Sequence, residues 1–310
     1  MRLYLLISLG FILSCSSVKK TDAQIGNQLL KDVEVLSSDA YEGRKTGTKG
    51  AEMARIYIES RFKEIGLKTL PALGNYEIPF SFKDNKGNTI QGKNLIAYVE
   101  GKTENAIVIS AHYDHVGIIN NEIYNGADDN ASGVATLLKI AAYYTKNKPD
   151  HTLIFAAFDA EEMGLRGSQV FVANPPMAID RIKLNINMDM ISHNDKGELY
   201  ACGTFKYPQL KPYVFSENTK IKIRLGHDDP KLGGADWTNQ SDHSAFNKKD
   251  IPFIYFGVED HKDYHKATDE FKNINTAFFI NASNAILEIT KRLDSKLYIK
   301  AIIKEKKTID

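Results

Sequence analysis

The chain has 310 residues, 43% hydrophobic and 25% charged, enough for a large folded domain with a substantial core. Lys and Arg number 40 against 39 Asp and Glu, with no long block of either sign. This balance lacks the basic stripe on which nucleic-acid binding depends, so nucleic acid is not expected as a partner.

The N-terminus reads separately from the fold. Met1-Arg2 is followed by the apolar run Leu3–Leu13. Such a run is too short to span a bilayer, where ~20 residues are needed, but it suits the core of a signal peptide. Leu13-Ser14-Cys15 resembles a bacterial lipobox, with cleavage after Ser14 and a lipid on Cys15. The expected organisation is a lipoprotein signal peptide over 1–14, a tether over 15–25 and a single domain over 26–310. That places the mature protein in the cell envelope, lipid-anchored outside the cytoplasm and facing either the periplasm or the exterior. The competing reading is a plain secretory signal in which Cys15 is incidental. Once Cys15 is lipidated, Cys202 is the one remaining thiol. It reads as a small buried apolar residue rather than half of a disulfide.

From the tether to Leu67 the pattern is helical. Ile25, Leu29, Leu30, Val33 and Leu36 share one face. A turn-like Tyr41–Gly50 precedes a second helix over 51–65, ended by Gly66. Asp84-Asn85 and Lys86-Gly87 read as a hairpin between strands near 76–82 and 94–99. Elements then alternate: strand 106–110, helix 131–144, strand 152–158, helix 165–172, strand 184–188. Two more strands, 221–225 and 252–256, and a last helix over 276–293 follow. Apolar strands alternating with helices imply an α/β fold of three layers, α/β/α, with a mixed, largely parallel central sheet.

Six residues stand out at or beyond the ends of the strand-like runs: His112, Asp129, the pair Glu161-Glu162, Asp189 and His265. In open α/β sheets, ligands bind outside the carboxyl ends of strands. His112, Glu161-Glu162 and Asp189 follow their strands directly, so they are expected to converge at one sheet edge. Imidazole and carboxylate are zinc ligands, and a paired site needs a carboxylate that reaches both ions. Asp129, in the loop NGADDNASG, suits that bridging role, and Asp128 competes with it. In the glutamate pair, one carboxylate binds metal and its neighbour acts as base toward water. Singly, each residue has a bland reading: a core histidine, a solvated loop glutamate, a turn aspartate. Asp189 resists that reading most, because a carboxylate after an apolar strand is costly unless paired.

The motifs AHYDHVG, GADDNASG, FDAEEMGLRGS, NMDM and DYHKATD, in this order, resemble the dizinc aminopeptidases of metallopeptidase family twenty-eight. They span residues 111–269, and Tyr41–Leu67 is similar to the family's helical lead-in. The resemblance implies a zinc-exopeptidase-like fold and two zinc ions. His112 and Asp189 would share one ion, and Glu162 and His265 the other. Asp129 would bridge them, in preference to Asp128. Glu161 would be the general base, Asp114 would orient His112, and Asp269 would support His265. The segment Ser241–Phe246 would shape the substrate pocket. His115, His227, His243 and His261 are left unassigned, and Trp237 is either a pocket wall or a packing anchor. The implied function is an aminopeptidase acting on peptides with a free N-terminus. Three rivals are a glutaminyl cyclase on the same fold, a carboxypeptidase or amidohydrolase, and a non-catalytic binding lipoprotein.

Overall fold

The computed structural model describes residues 22–295, so the expected signal peptide and tether residues 15–21 lie outside the described residues. The elements, in order, are α1 (Asp22–Leu36), α2 (Lys49–Ile65), β1 (Glu77–Lys83), β2 (Thr89–Val99) and β3 (Thr103–His112). A short hairpin β4 (Gly117–Ile119) and β5 (Glu122–Tyr124) precedes α3 (Gly133–Tyr144). Then come β6 (His151–Phe158), α4 (Arg166–Ala173), β7 (Ile182–Met188), β8 (Glu198–Cys202) and β9 (Lys222–Leu225). The chain closes with α5 (His243–Asn247), β10 (Phe253–Gly257) and α6 (Thr276–Leu293). Helix α1 begins inside the stretch expected to be tether.

The main sheet has the order β1-β2-β6-β3-β7-β10-β8-β9. Its centre, β6-β3-β7-β10, is parallel, while the pairs β1/β2, β2/β6 and β10/β8 are antiparallel. The sheet is therefore mixed and largely parallel at its centre, as expected. Strand β3 is the pivot. The chain leaves it for β6 on one side and returns to β7 on the other, which opens a crevice at the carboxyl ends.

Both faces of the centre are covered, which is why its strands are apolar along their whole length. In β3, Ile107, Ile109 and Ala111 enter the core formed with α1, α2, α3 and α6. Ala106 and Val108 enter the opposite core, which holds Phe171 of α4 and Phe246 of α5. Cys202 lies fully buried, without a disulfide.

Local signals fix the helix ends. Thr48 caps α2 by accepting the N–H of Ala51, and Gly66, at φ 85, ends it by donating to Phe62 and Lys63. Asn275 caps α6 by accepting the N–H of Phe278 at 3.0 Å. Helix α3 starts later than its sequence pattern, because residues 127–132 form a wide turn that carries the loop carboxylates.

Candidate metal centre

Three parallel strands deliver the acidic and imidazole groups to one edge. His112 is the last residue of β3, Glu161-Glu162 follow β6, and Asp189 follows β7. Asp129 arrives from the turn before α3, and His265 from the loop after β10. Backbone in the left-handed region recurs at Ala160 (φ 59), Leu165 (φ 59), Met190 (φ 56) and His265 (φ 51), where the chain bends sharply around the site.

Two groups form around Asp129. In the first, His112 Nε2 is 3.1 Å from Asp189 Oδ1 and 3.3 Å from Asp129 Oδ1. Glu161 joins His112 and Asp189, one ligand atom of each within 4.8 Å of the others. In the second, His265 Nε2 is 3.1 Å from Asp129 Oδ2 and 3.4 Å from Glu162 Oε2. Asp129 thus turns one oxygen to each group. Asp128 turns away. Its Oδ1 accepts from the backbone and hydroxyl of Ser192 and its Oδ2 faces His261.

One residue set aside in the sequence enters the site. His115 Nδ1 lies 2.7 Å from Glu162 Oε1 and 3.6 Å from Asp129 Oδ2, and its Nε2 is buried without a partner. Gly126 makes room for this ring. A Cβ there, at φ +55, would meet the Asp129 carbonyl at 2.1 Å and the His115 ring at 2.7 Å.

The supporting carboxylates act on backbone more than on rings. His112 Nδ1 faces the main-chain oxygen of Asp114 at 3.1 Å, while the Asp114 carboxylate is farther, at 3.7 Å. That carboxylate instead accepts the N–H groups of Glu161 at 3.0 Å and Glu162 at 3.3 Å. Asp269 likewise accepts the N–H groups of Asp128 at 2.9 Å and Asp129 at 3.0 Å. Asp159 accepts from Thr46, Lys93, Tyr113 and Ala160, which fixes the start of the turn bearing the glutamates.

Beneath the site lies Arg44, almost fully buried. It donates to the carbonyls of Tyr113, Leu36, Asn125, Gly126 and Asp129. Burial lowers its guanidinium to about 10, opposed by Asp129, Asp269, Asp114 and Glu162. Arg44 had no signal of its own in the sequence beyond its place in the Tyr41–Gly50 segment.

The electrostatics follow from crowding. Burial works against charging His112, yet Asp189 and Glu161 hold it well above the imidazole range. Burial also works against charging Asp129, but His115, His112 and His265 hold it well below the carboxylate range. Hydrogen bonds to Asp129 and Glu162 raise His265 to about 10. Glu161 moves the other way. Burial, with Asp189, Asp242 and Glu162, pushes it well above its usual value against the pull of His112. The adjacent glutamates therefore differ in basicity, since Glu162 is held low by His115 and His265 despite burial and Asp129.

Asp189 has an aromatic flank. The Tyr255 hydroxyl reaches its carbonyl at 3.5 Å. Trp237 stands edge-on to Tyr255 at 6.1 Å and stacks on His227 at 3.8 Å. Trp237 is half-buried and packed against the core, which makes it a packing anchor.

A model of the family described as Peptidase family M28 matches residues 94–290. Leucine aminopeptidase 2 of Trichophyton rubrum is 29% identical over 229 residues, covering 64% of this chain and 45% of its own length. The chain spans less than half the length of the first curated relatives it matches. Among solved structures, an aminopeptidase from Aneurinibacillus sp. strain AM-1 has a TM-score of 0.65 at 18% identity, over 87% of this chain and 95% of that one. A Bacteroides thetaiotaomicron glutaminyl cyclase bound to N-acetylhistamine has a TM-score of 0.70 at 19% identity, over 85% and 96%. At these identities the likeness is one of fold.

Proposed function

The chain belongs to peptidase family M28, and from that premise we propose that it is a zinc-dependent aminopeptidase acting on peptides with a free N-terminus. The observation that carries this reading is Asp129, whose Oδ1 faces His112 and whose Oδ2 faces His265. A carboxylate shared in this way suits two ions side by side.

The donor set fits zinc, since imidazole meets carboxylate on both sides of Asp129. His112, Asp189 and Asp129 would hold one ion; Glu162, His265 and Asp129 would hold the other. His115 would back Glu162 as its hydrogen-bond partner. When bound, two zinc ions supply Lewis-acid polarisation of a scissile carbonyl and acidify water.

The remaining chemistry belongs to the chain. Glu161, the more basic of the two glutamates, takes the proton from the attacking water and returns it to the leaving amine. Asp114 aims both glutamates through their backbone N–H groups. Asp269 and Arg44 hold the turn of Asp129 from two sides. In this reading a single catalytic domain over 26–310 carries the whole site, and Cys15, outside the described residues, tethers it to the envelope membrane. Among the described residues no helix is long and apolar enough to cross a membrane.

The test is a panel of aminoacyl-fluorophore substrates, free and N-blocked, with chelator and zinc add-back, alongside an assay for cyclisation of N-terminal glutamine. Zinc-restored release from free-amine substrates is expected. Cleavage of N-blocked substrates, or cyclisation without hydrolysis, would overturn the assignment.

A further inference from the structure

The loop after β7 and the loop after β10 meet a second time, apart from the two groups around Asp129. There they bring together His193, His261 and Asp263, one ligand atom of each within 4.8 Å of the others. The two imidazoles stack, with centroids 3.9 Å apart and planes at 27°. His193 Nδ1 stands 3.8 Å from Asp263 Oδ2, beyond hydrogen-bond distance.

Asp263 supplies the independent sign. The residue is 5% exposed, and its Oδ2 is buried with no hydrogen-bond partner. Its Oδ1 is already satisfied by the Thr268 hydroxyl at 2.7 Å. A buried carboxylate oxygen without a donor is costly, and a cation removes the cost. This oxygen stands 3.8 Å from His193 Nδ1, and His261 completes the same group.

His261 is prepared as a ligand from behind. Its Nε2 lies 2.9 Å from Asp128 Oδ2. A carboxylate only accepts, so the proton sits on Nε2 and the lone pair on Nδ1. That lone pair meets only the N–H of Asp263, at a long 3.3 Å. Carboxylate behind imidazole is the usual arrangement at a metal-bound histidine. Both rings keep some solvent access.

We propose that His193, His261 and Asp263 form a third divalent-cation site, separate from the peptidase centre. Two nitrogens and one carboxylate oxygen suit zinc or a similar late first-row ion rather than calcium or magnesium. Ligands around a tetrahedral zinc stand roughly 3.4 Å apart. The 3.8 Å between His193 and Asp263 is close to that spacing. The ion acts as a strut. It ties the β7 loop to the β10 loop and, through His261 and Asp128, reaches the turn that carries Asp129.

The test is a metal count on the full folded protein, stripped with chelator, titrated with zinc and freed of excess. Wild type is expected to hold three equivalents, and His193→Ala two. His193→Gln repeats the measurement with a bulkier side chain, and circular dichroism verifies folding. If neither His193 variant folds, the isosteric Asp263→Asn decides in their place. Equal zinc in wild type and the folded variants would overturn the proposal. The ion lost on substitution reports this site, whereas the ions that remain report the peptidase centre, so the two readings fail separately.

Discussion

The carboxylate of Asp114 accepts the backbone N–H of Glu161 at 3.0 Å, and its other oxygen accepts that of Glu162 at 3.3 Å. One side chain thus aims two neighbouring glutamates, and its own main-chain oxygen meets His112. Glu161→Gln keeps this scaffold and removes only the basic oxygen. Turnover should fall by about 10²–10⁴-fold, with zinc content unchanged. Steady-state kinetics with metal analysis checks both halves, and retained activity would show that the base is another group. Asp114→Ala should lower activity and zinc content together, because it releases the backbone that aims Glu162.

Arg44 tests the foundation of the site. Its five carbonyl partners lie at the end of α1, after β3 and before α3. Arg44→Met strands those acceptors in the interior, so stability should drop by at least about 3 kcal/mol. Arg44→Lys should recover little, because an ammonium lacks the planar fork that spans several carbonyls. Urea unfolding measures both. A loss near zero in Arg44→Met would mean the loops are held elsewhere.

Gly126 should not tolerate a side chain. Gly126→Ala adds a methyl against the Asp129 carbonyl and the His115 ring at a left-handed position. Zinc binding and activity should fall together while far-UV dichroism stays native. Wild-type zinc content in this variant would show that the turn can move without cost to the site.

His243 gives a pH dependence. Burial lowers its imidazole to about 4, despite a bond from Nε2 to the Trp237 carbonyl at 2.9 Å. Unfolded, it titrates near 6.5. Between these values the unfolded chain binds the extra proton, so this contribution to stability is complete above about 6.5 and lost as pH falls toward 4. Its full size is about 3 kcal/mol. His243→Gln should flatten the stability profile in that window relative to wild type. Parallel profiles would assign the acid sensitivity to other groups.

Much of this was legible in the chain. The apolar runs of β3, β6 and β7 announced buried parallel strands, and His112, Glu161-Glu162 and Asp189 fell at their ends for that reason. The final helix was read to its bounds, and Asn275 caps it in the structure. The hairpin Gly117–Tyr124 was not read, although Asn120 and Asn121, both at positive φ, are the residues such a turn favours. Side-chain direction was beyond reach. Spacing could not tell that Asp269 turns to the backbone of Asp129 rather than to His265, or that His115 turns inward to Glu162. Arg44 was hidden because its partners are carbonyls, which carry no sequence signal.

We propose that Asp129 joins two ions in one centre. Anomalous diffraction at the zinc edge from zinc-loaded crystals measures this. Two peaks about 3.5–4 Å apart, one on each side of the Asp129 carboxylate, are expected. A single peak at that carboxylate, or none, would show that Asp129 does not bridge two ions.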